Sequence, residues 1–399
     1  MSLPSQVRPA LSPLLTAAGL ALGAAVALGF GRFSYALLLP PMRASLAWSY
    51  TQAGAMNTAN GLGYLLGAVL APFALTRWGA RPAFLVAMLV TALGIACTAI
   101  SGQFAFLIAM RLLTGLGGAV TFTAGGLLAA QAASRAQGGH SGRVLITFYA
   151  GASLGILLTG LGLPPLLALL GNGGWRAGWL TLGLASLLSL GLAWAATRDS
   201  SARGQTGGVL GLRQLRPLLP SLAAYACFGL GYVAYTTFSV TYLRSQGAGT
   251  GQITLFWTLL GLAGVLAPFV WARLMARVWG GRTMGLLMTV MSVGAALPVL
   301  SASRPAALLS ALLFGLTFLS VVASTTALAR QSLSPAVWGA GVAAYTITFA
   351  ACQSLGPLLT GALADHASGG LRLGLGLSAL LLLIGAGLAY SQRYVEPVG

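Results

Sequence analysis

Two arginines, Arg32 and Arg111, stand alone inside long apolar runs that hold no other ionisable residue. A guanidinium stays charged, offers five N–H donors in a planar fork, and matches a carboxylate two bonds at a time. In an apolar run such a group costs ~2.5–3.5 kcal/mol on helix-insertion scales and marks a functional position by default. Arg32 is read as a fixed cation for an anionic small molecule, set against a structural arginine satisfied by backbone carbonyls. Arg111 is weighted the other way, toward gating or structure over direct contact.

Uncharged polar and aromatic residues recur at helical spacing in neighbouring runs. Asn57, Asn60 and Tyr64 share one face; Tyr225, Tyr232, Thr236 and Ser239 share another; Tyr345, Phe349 and Gln353 share a third. Arg32, Tyr35, Asn57, Asn60, Tyr64, Tyr232, Tyr235, Tyr345 and Gln353 form the expected binding set, with Tyr232 and Gln353 facing Arg32 across a cavity. For any single uncharged member, an interhelical hydrogen bond worth ~0.6 kcal/mol is the plainer role. The acids are few. Asp199, Asp365 and Glu396 lie in loops, at helix ends or in the tail, so no buried carboxylate relay exists. Asp365, beside His366, is the one candidate for coupling, against a solvated helix end. Cys97, Cys227 and Cys352 lack metal-ligand spacing, and Gly115-Leu116-Gly117-Gly118 lacks the strand–turn–helix context of a phosphate loop. No nucleophile–base pair is present, so neither enzyme chemistry, nor a metal, nor a cofactor is expected.

The elements that must position these residues follow from composition. The chain has 399 residues, 57% hydrophobic and 6% charged, against about 25% charged in soluble domains. A water-facing surface cannot be built from it, and disorder needs the opposite composition. A helix crosses the bilayer core with about 20 apolar residues. Twelve such spans are expected, near 12–40, 53–75, 83–101, 104–130, 144–170, 175–196, 218–243, 253–274, 283–301, 306–329, 336–364 and 371–390. The formal charge is +18, with no lysine. Fourteen arginines (8, 77, 81, 135, 143, 198, 203, 213, 216, 273, 277, 282, 330 and 393) fall on one side of these spans. Five (43, 176, 244, 304 and 372) fall on the other. The positive-inside rule then puts both termini in the cytoplasm. That placement, rather than nucleic acid, accounts for the charge.

Internal repetition divides the chain. Val69-Leu70-Ala71-Pro72-Phe73 returns as Val265-Leu266-Ala267-Pro268-Phe269, and Ser153–Gly160 returns as Ser354–Gly361 with one mismatch. G-x-G-x-x-x-Y occurs at Gly29, Gly31, Tyr35 and again at Gly229, Gly231, Tyr235. The longest polar segment lies between the copies. The expected units are residues 1–196, a linker at 197–217, and residues 218–399. Six spans per unit make the repeats parallel, with a site near the midplane between them. Arg32 matches Tyr232 and Arg111 matches Ala311. The scaffold is duplicated and the charges are not, which is where a specific site would be built.

On these residues the chain resembles the major facilitator superfamily over nearly its whole length. Arg111, Gly115 and Gly117 resemble the fourth-helix R-x-x-x-G-x-G pattern of that family. Thr76-Arg77-Trp78-Gly79-Ala80-Arg81 resembles its loop between helices two and three, with Thr76 in place of the usual acid. Gly29–Tyr35 followed by Leu39-Pro40-Pro41-Met42 is similar more narrowly to the YbfB/YjiJ-type branch. The resemblance implies an all-α polytopic membrane protein of twelve transmembrane helices in two pseudo-symmetric six-helix bundles. It implies transport by alternating access in the inner (plasma) membrane, with Arg111, Arg77, Arg81, Gly115 and Gly117 as gating positions, beside Asp365 as the coupling candidate read from the scarcity of acids. The expected cargo is a small organic anion carried by a monomer in the lipid bilayer, with no nucleic-acid partner. The alternative is efflux of neutral or amphipathic compounds with both arginines structural. Without buried acids, exchange, facilitated diffusion or a proton carried by the substrate itself are the expected modes.

Overall fold

The computed structural model describes residues 11–136, 140–202 and 210–393. Arg8, Arg203 and Glu396, and part of the expected linker, lie outside the described residues. Eleven continuous helical stretches are long and apolar enough to cross a membrane. One of them, Ser141–Ala196, has 56 residues, about 84 Å of helix against a ~30 Å core. It folds back at the tight turn Gly171–Gly174, where Gly171 takes φ +65°, a left-handed conformation that glycine adopts freely. Two crossings result, which makes twelve among the described residues.

In chain order these are α1 (Pro13–Leu46), α2 (Tyr50–Trp78), α3 (Ala80–Cys97), α4 (Phe104–Ser134), α5 (Ser141–Leu170) and α6 (Trp175–Ala196). The second six are α7 (Leu219–Ser245), α8 (Thr250–Arg277), α9 (Arg282–Leu300), α10 (Arg304–Ser332), α11 (Trp338–His366) and α12 (Gly370–Ser391). The start of α2 is fixed by a capping box, in which Ser49 Oγ accepts from Gln52 N and the Gln52 side chain accepts from Ser49 N.

Two helices depart from the expected spans. α1 does not end at Pro40. It carries Pro40 and Pro41 inside it and runs to Leu46, so Arg32 lies fourteen residues from its end, about 21 Å along the axis rather than about 12 Å. Its stretch Ala25–Phe33 is π-helical, closed by Ser34 N donating to Gly29 O at 3.0 Å. Such widened turns are rare and recur at functional sites. α11 is not one rod either. It breaks between Trp338–Gln353 and Gly356–His366. Pro357 has no N–H for the Gln353 carbonyl four residues back, so the helix stops there and restarts with proline in its first turn.

The halves meet through the repeated segments. α11 lies against α2, where Thr58 Oγ1 donates to Ser354 O at 2.6 Å and a Cβ on Gly54 would overlap the Pro357 carbonyl. α5 lies against α8 in the same way, with Trp257 Nε1 donating to Thr159 Oγ1 at 3.3 Å and a Cβ on Gly261 overlapping the Leu157 backbone. Ser153–Gly160 and Ser354–Gly361 thus make equivalent contacts on opposite flanks.

Candidate functional site

Arg32 leaves the π-helical stretch of α1 at mid-bundle and is 5% exposed. Its Nη2 donates to Oε1 of Gln353, the last residue before the break in α11. Four rings surround its Cζ: Phe33 at 5.9 Å, Tyr64 at 5.7 Å, Tyr232 at 5.6 Å and Phe349 at 5.7 Å. All lie within cation–π range. Gln353 is fully buried, and its Nε2 has no hydrogen-bond partner. Among the described residues no carboxylate answers Arg32. Asp199 pairs with Arg198 at 3.6 Å and accepts from Leu11 N, while Asp365 is held at the far end of α11.

The wall beside Arg32 is aromatic and nearly laminar. Tyr225 stacks on Phe228 at 5.3 Å and 7°, and Phe228 stacks on Tyr232 at 4.9 Å and 7°. Phe349 continues the stack at 5.5 Å from Phe228, and Phe318 lies 6.2 Å from Tyr232 at 13°. These are positions of α7, α10 and α11 that present aromatic residues every three or four places. Phe33, Tyr225, Phe228, Phe318 and Phe349 lie outside the expected binding set, although Tyr225 and Phe349 sit on the expected faces and Phe228 falls on the Tyr225–Tyr232 face by spacing alone.

Arg111 is a different kind of buried cation. Its Nη1 donates to Gly31 O at 2.5 Å, its Nη2 to Asn57 Oδ1 at 3.3 Å and its Nε to Met56 O at 3.5 Å. Its Cζ lies 5.0 Å from the Tyr35 ring and 5.5 Å from that of Trp179. Its polar partners are carbonyl oxygens of its own half. Asn57 passes the chain on, donating through Nδ2 to Thr237 Oγ1 of α7 at 2.5 Å.

The expected binding residues therefore divide. Arg32, Tyr64, Tyr232 and Gln353 come together. Tyr35, Asn57 and Asn60 gather around Arg111, with Tyr35 donating to Ala53 O at 2.7 Å and Asn60 Nδ2 to Arg111 O at 3.2 Å. Tyr235 bonds Ser310 and stacks on Phe314 at 4.2 Å, and Tyr345 bonds Ser221 Oγ at 2.6 Å. Both turn into the second half rather than toward Arg32. A Cβ on Gly115 would overlap the Asn60 carbonyl, and one on Gly117 would lie 2.7 Å from the Ala87 carbonyl. The two glycines let α4 lie against α2 and α3. Arg77 is exposed, and Arg81 Nη2 donates to Trp194 O at 3.2 Å. Asp365 accepts from Tyr50 N and Thr51 N, each at 2.8 Å, and from Thr51 Oγ1 at 2.6 Å. It caps α2 from the other half.

Known proteins place this architecture. The solved nucleoside transporter NupG superposes with a TM-score of 0.70 at 13% identity, over 96% of this chain and 98% of that one. A bacterial homologue of the human lysosomal transporter Spinster, in an inward-facing and unoccupied conformation, superposes with a TM-score of 0.70 at 15% identity, over 95% and 97%. At these identities the likeness shows the fold. The inner membrane transport protein YdhP of Escherichia coli (strain K12) is 26% identical over 315 residues, 78% of each chain. The family described as "uncharacterised MFS-type transporter YbfB" matches residues 24–390. With twelve apolar helices and that match, the chain belongs to the YbfB-type transporters of the major facilitator superfamily, multi-pass inner-membrane transporters and not enzymes.

Proposed function

We propose that the protein carries a small organic anion by alternating access, with Arg32 as the charge anchor. One observation carries this reading. Arg32 is a buried cation with a single neutral acceptor, the Gln353 amide oxygen, whereas the fully buried Arg111 has three oxygen partners. A guanidinium left with unused donors and no counter-ion is poised to take a carboxylate. Arg111, Asn57 and Thr237 would couple the state of the first half to α7, and Arg77 and Arg81 would act at the end that carries the termini.

The units that move are residues 1–196 and 218–399, and the protein works as a monomer. The arginine asymmetry supports cytoplasmic termini. Asp365 would then latch the outer end, a role that its contacts with the start of α2 support. With no buried carboxylate among the described residues, the carrier runs by exchange, by facilitated diffusion, or with a proton that rides on the substrate.

The test is ligand affinity, measured by thermal shift across a panel of organic acids. Arg32→Ala should remove binding and Arg32→Lys should weaken it severely, because an ammonium lacks the planar fork. Loss of a charge-assisted pair of this type costs about 2–5 kcal/mol, roughly 30-fold or more. Arg111→Lys should affect binding less and transport rate more. Near-wild-type affinity in Arg32→Ala ends this reading. It would select a neutral or amphipathic cargo instead, for which the aromatic wall is the supporting feature.

A further inference from the structure

We propose that the cargo is a flat aromatic monocarboxylate, held between Arg32 and Gln353 Nε2 with its ring laid along the Phe228–Tyr232–Phe349 stack. The proposal rests on the anion reading of Arg32 and narrows it. Three features point to it independently.

Charge sets the valence. The donors of Arg111 are taken by neutral oxygens of its own half, which leaves Arg32 as the cation free to pair with a ligand. A monoanion cancels it. A second carboxylate, or a doubly charged phosphate, would bring a buried negative charge with no partner among the described residues.

Gln353 sets the second contact. Its Oε1 already accepts from Arg32, and its Nε2 is buried with no partner. A buried, unpaired amide donor is rare in a finished site and costs stability until an acceptor arrives. Arg32 has donors to spare, so the Gln353 bond persists while a carboxylate bridges the two side chains. One oxygen takes the guanidinium and the other takes the amide.

The wall sets the shape. Phe228 and Tyr232 are parallel to within 7°, with Phe349 tilted by 26° and 29° to them. A planar guest laid along the stack offers its face to the aligned edges of these rings, the edge-to-face arrangement that aromatic pairs adopt. A puckered ring of equal size fills the same volume without that contact.

The experiment compares benzoate and 2-naphthoate with their fully reduced ring counterparts and with benzamide and 2-naphthamide. Binding is measured by isothermal titration on the full chain in nanodiscs. The aromatic acids should bind about 3–10-fold more tightly than the reduced acids. The amides should be at least roughly 30-fold weaker. Phe349→Leu should narrow the gap between the aromatic and the reduced acids, weakening the aromatic acids more. Gln353→Leu should weaken both acid series alike. Equal affinity for flat and reduced acids, or binding of aliphatic acids alone, overturns this inference and leaves the anion reading standing. Amides that bind as well as acids, or failure of every acid to bind, overturn the anion reading and this inference with it.

Discussion

Asp365 joins the halves by an unusual route, since its carboxylate caps a helix to which it does not belong. It accepts from Tyr50 N, Thr51 N and Thr51 Oγ1 at 2.8, 2.8 and 2.6 Å, at the positive end of α2. Hydrogen bonds to a charged group are worth about 1.5–3 kcal/mol each when sheltered. This carboxylate is exposed, so water and salt compete, and the set is discounted to about 1–3 kcal/mol. Removing it should shift the equilibrium toward opening of this end by roughly 5–150-fold. Ala53, fully buried on the same turns of α2, is a reporter position. In a background where Cys97, Cys227 and Cys352 are replaced by Ala, Ala53→Cys should react with a membrane-impermeant maleimide at a rate set by the open population. Asp365→Ala should raise that rate by the stated factor, and Asp365→Asn by less, because its amide oxygen still accepts. An unchanged rate in Asp365→Ala protein that remains monodisperse would refute the latch. Loss of proton-driven accumulation in Asp365→Asn, with exchange spared, would instead make this residue a proton carrier.

Reporter fusions after Arg198 and at the C-terminus should both read cytoplasm, and an external signal from either would refute the orientation taken from the arginines. Gly261→Val should jam α8 against the Leu157 backbone, lowering thermal stability by about 1–3 kcal/mol and slowing transport more than binding. A variant with native melting behaviour and native flux would show that this contact is looser than the structure makes it.

Much of this was legible without coordinates because it depends on span length and on repetition. Twelve apolar spans and two matched halves are properties of composition and order. The meeting of Arg32, Tyr232 and Gln353 follows from helical faces turned toward a shared axis. Faces also mislead, since a hundred-degree stripe does not separate cavity from core. Tyr235 and Tyr345 lie on suitable stripes and yet bond Ser310 and Ser221 within their own half. Proline was misleading in one helix and informative in another. The expected span ends at position 40, yet α1 carries Pro40 and Pro41 onward to Leu46. The single mismatch between the long repeats, Ile156 against Pro357, marks the break beside Gln353. The π-helical stretch at Ala25–Phe33 has no such signature. Nor has the contact of Asp365 with Thr51, 314 positions away in sequence.

The missing counter-ion of Arg32 has a consequence for membrane voltage. On the proposed reading an empty site carries the Arg32 charge, with no carboxylate beside it among the described residues. Binding a monocarboxylate makes the site neutral. A full crossing of one charge is worth ~2.3 kcal/mol per 100 mV, and Arg32, near mid-bundle, would sense a fraction of that. The loaded carrier would keep only the Arg111 charge and reorient with less regard to voltage, while the empty one would be drawn more strongly toward the negative interior. An interior-negative membrane would hold the vacant carrier with its outer end latched by Asp365 and its site turned to the cytoplasm. Returning outward would be the electrically opposed step, and a second anion taken from inside would relieve it.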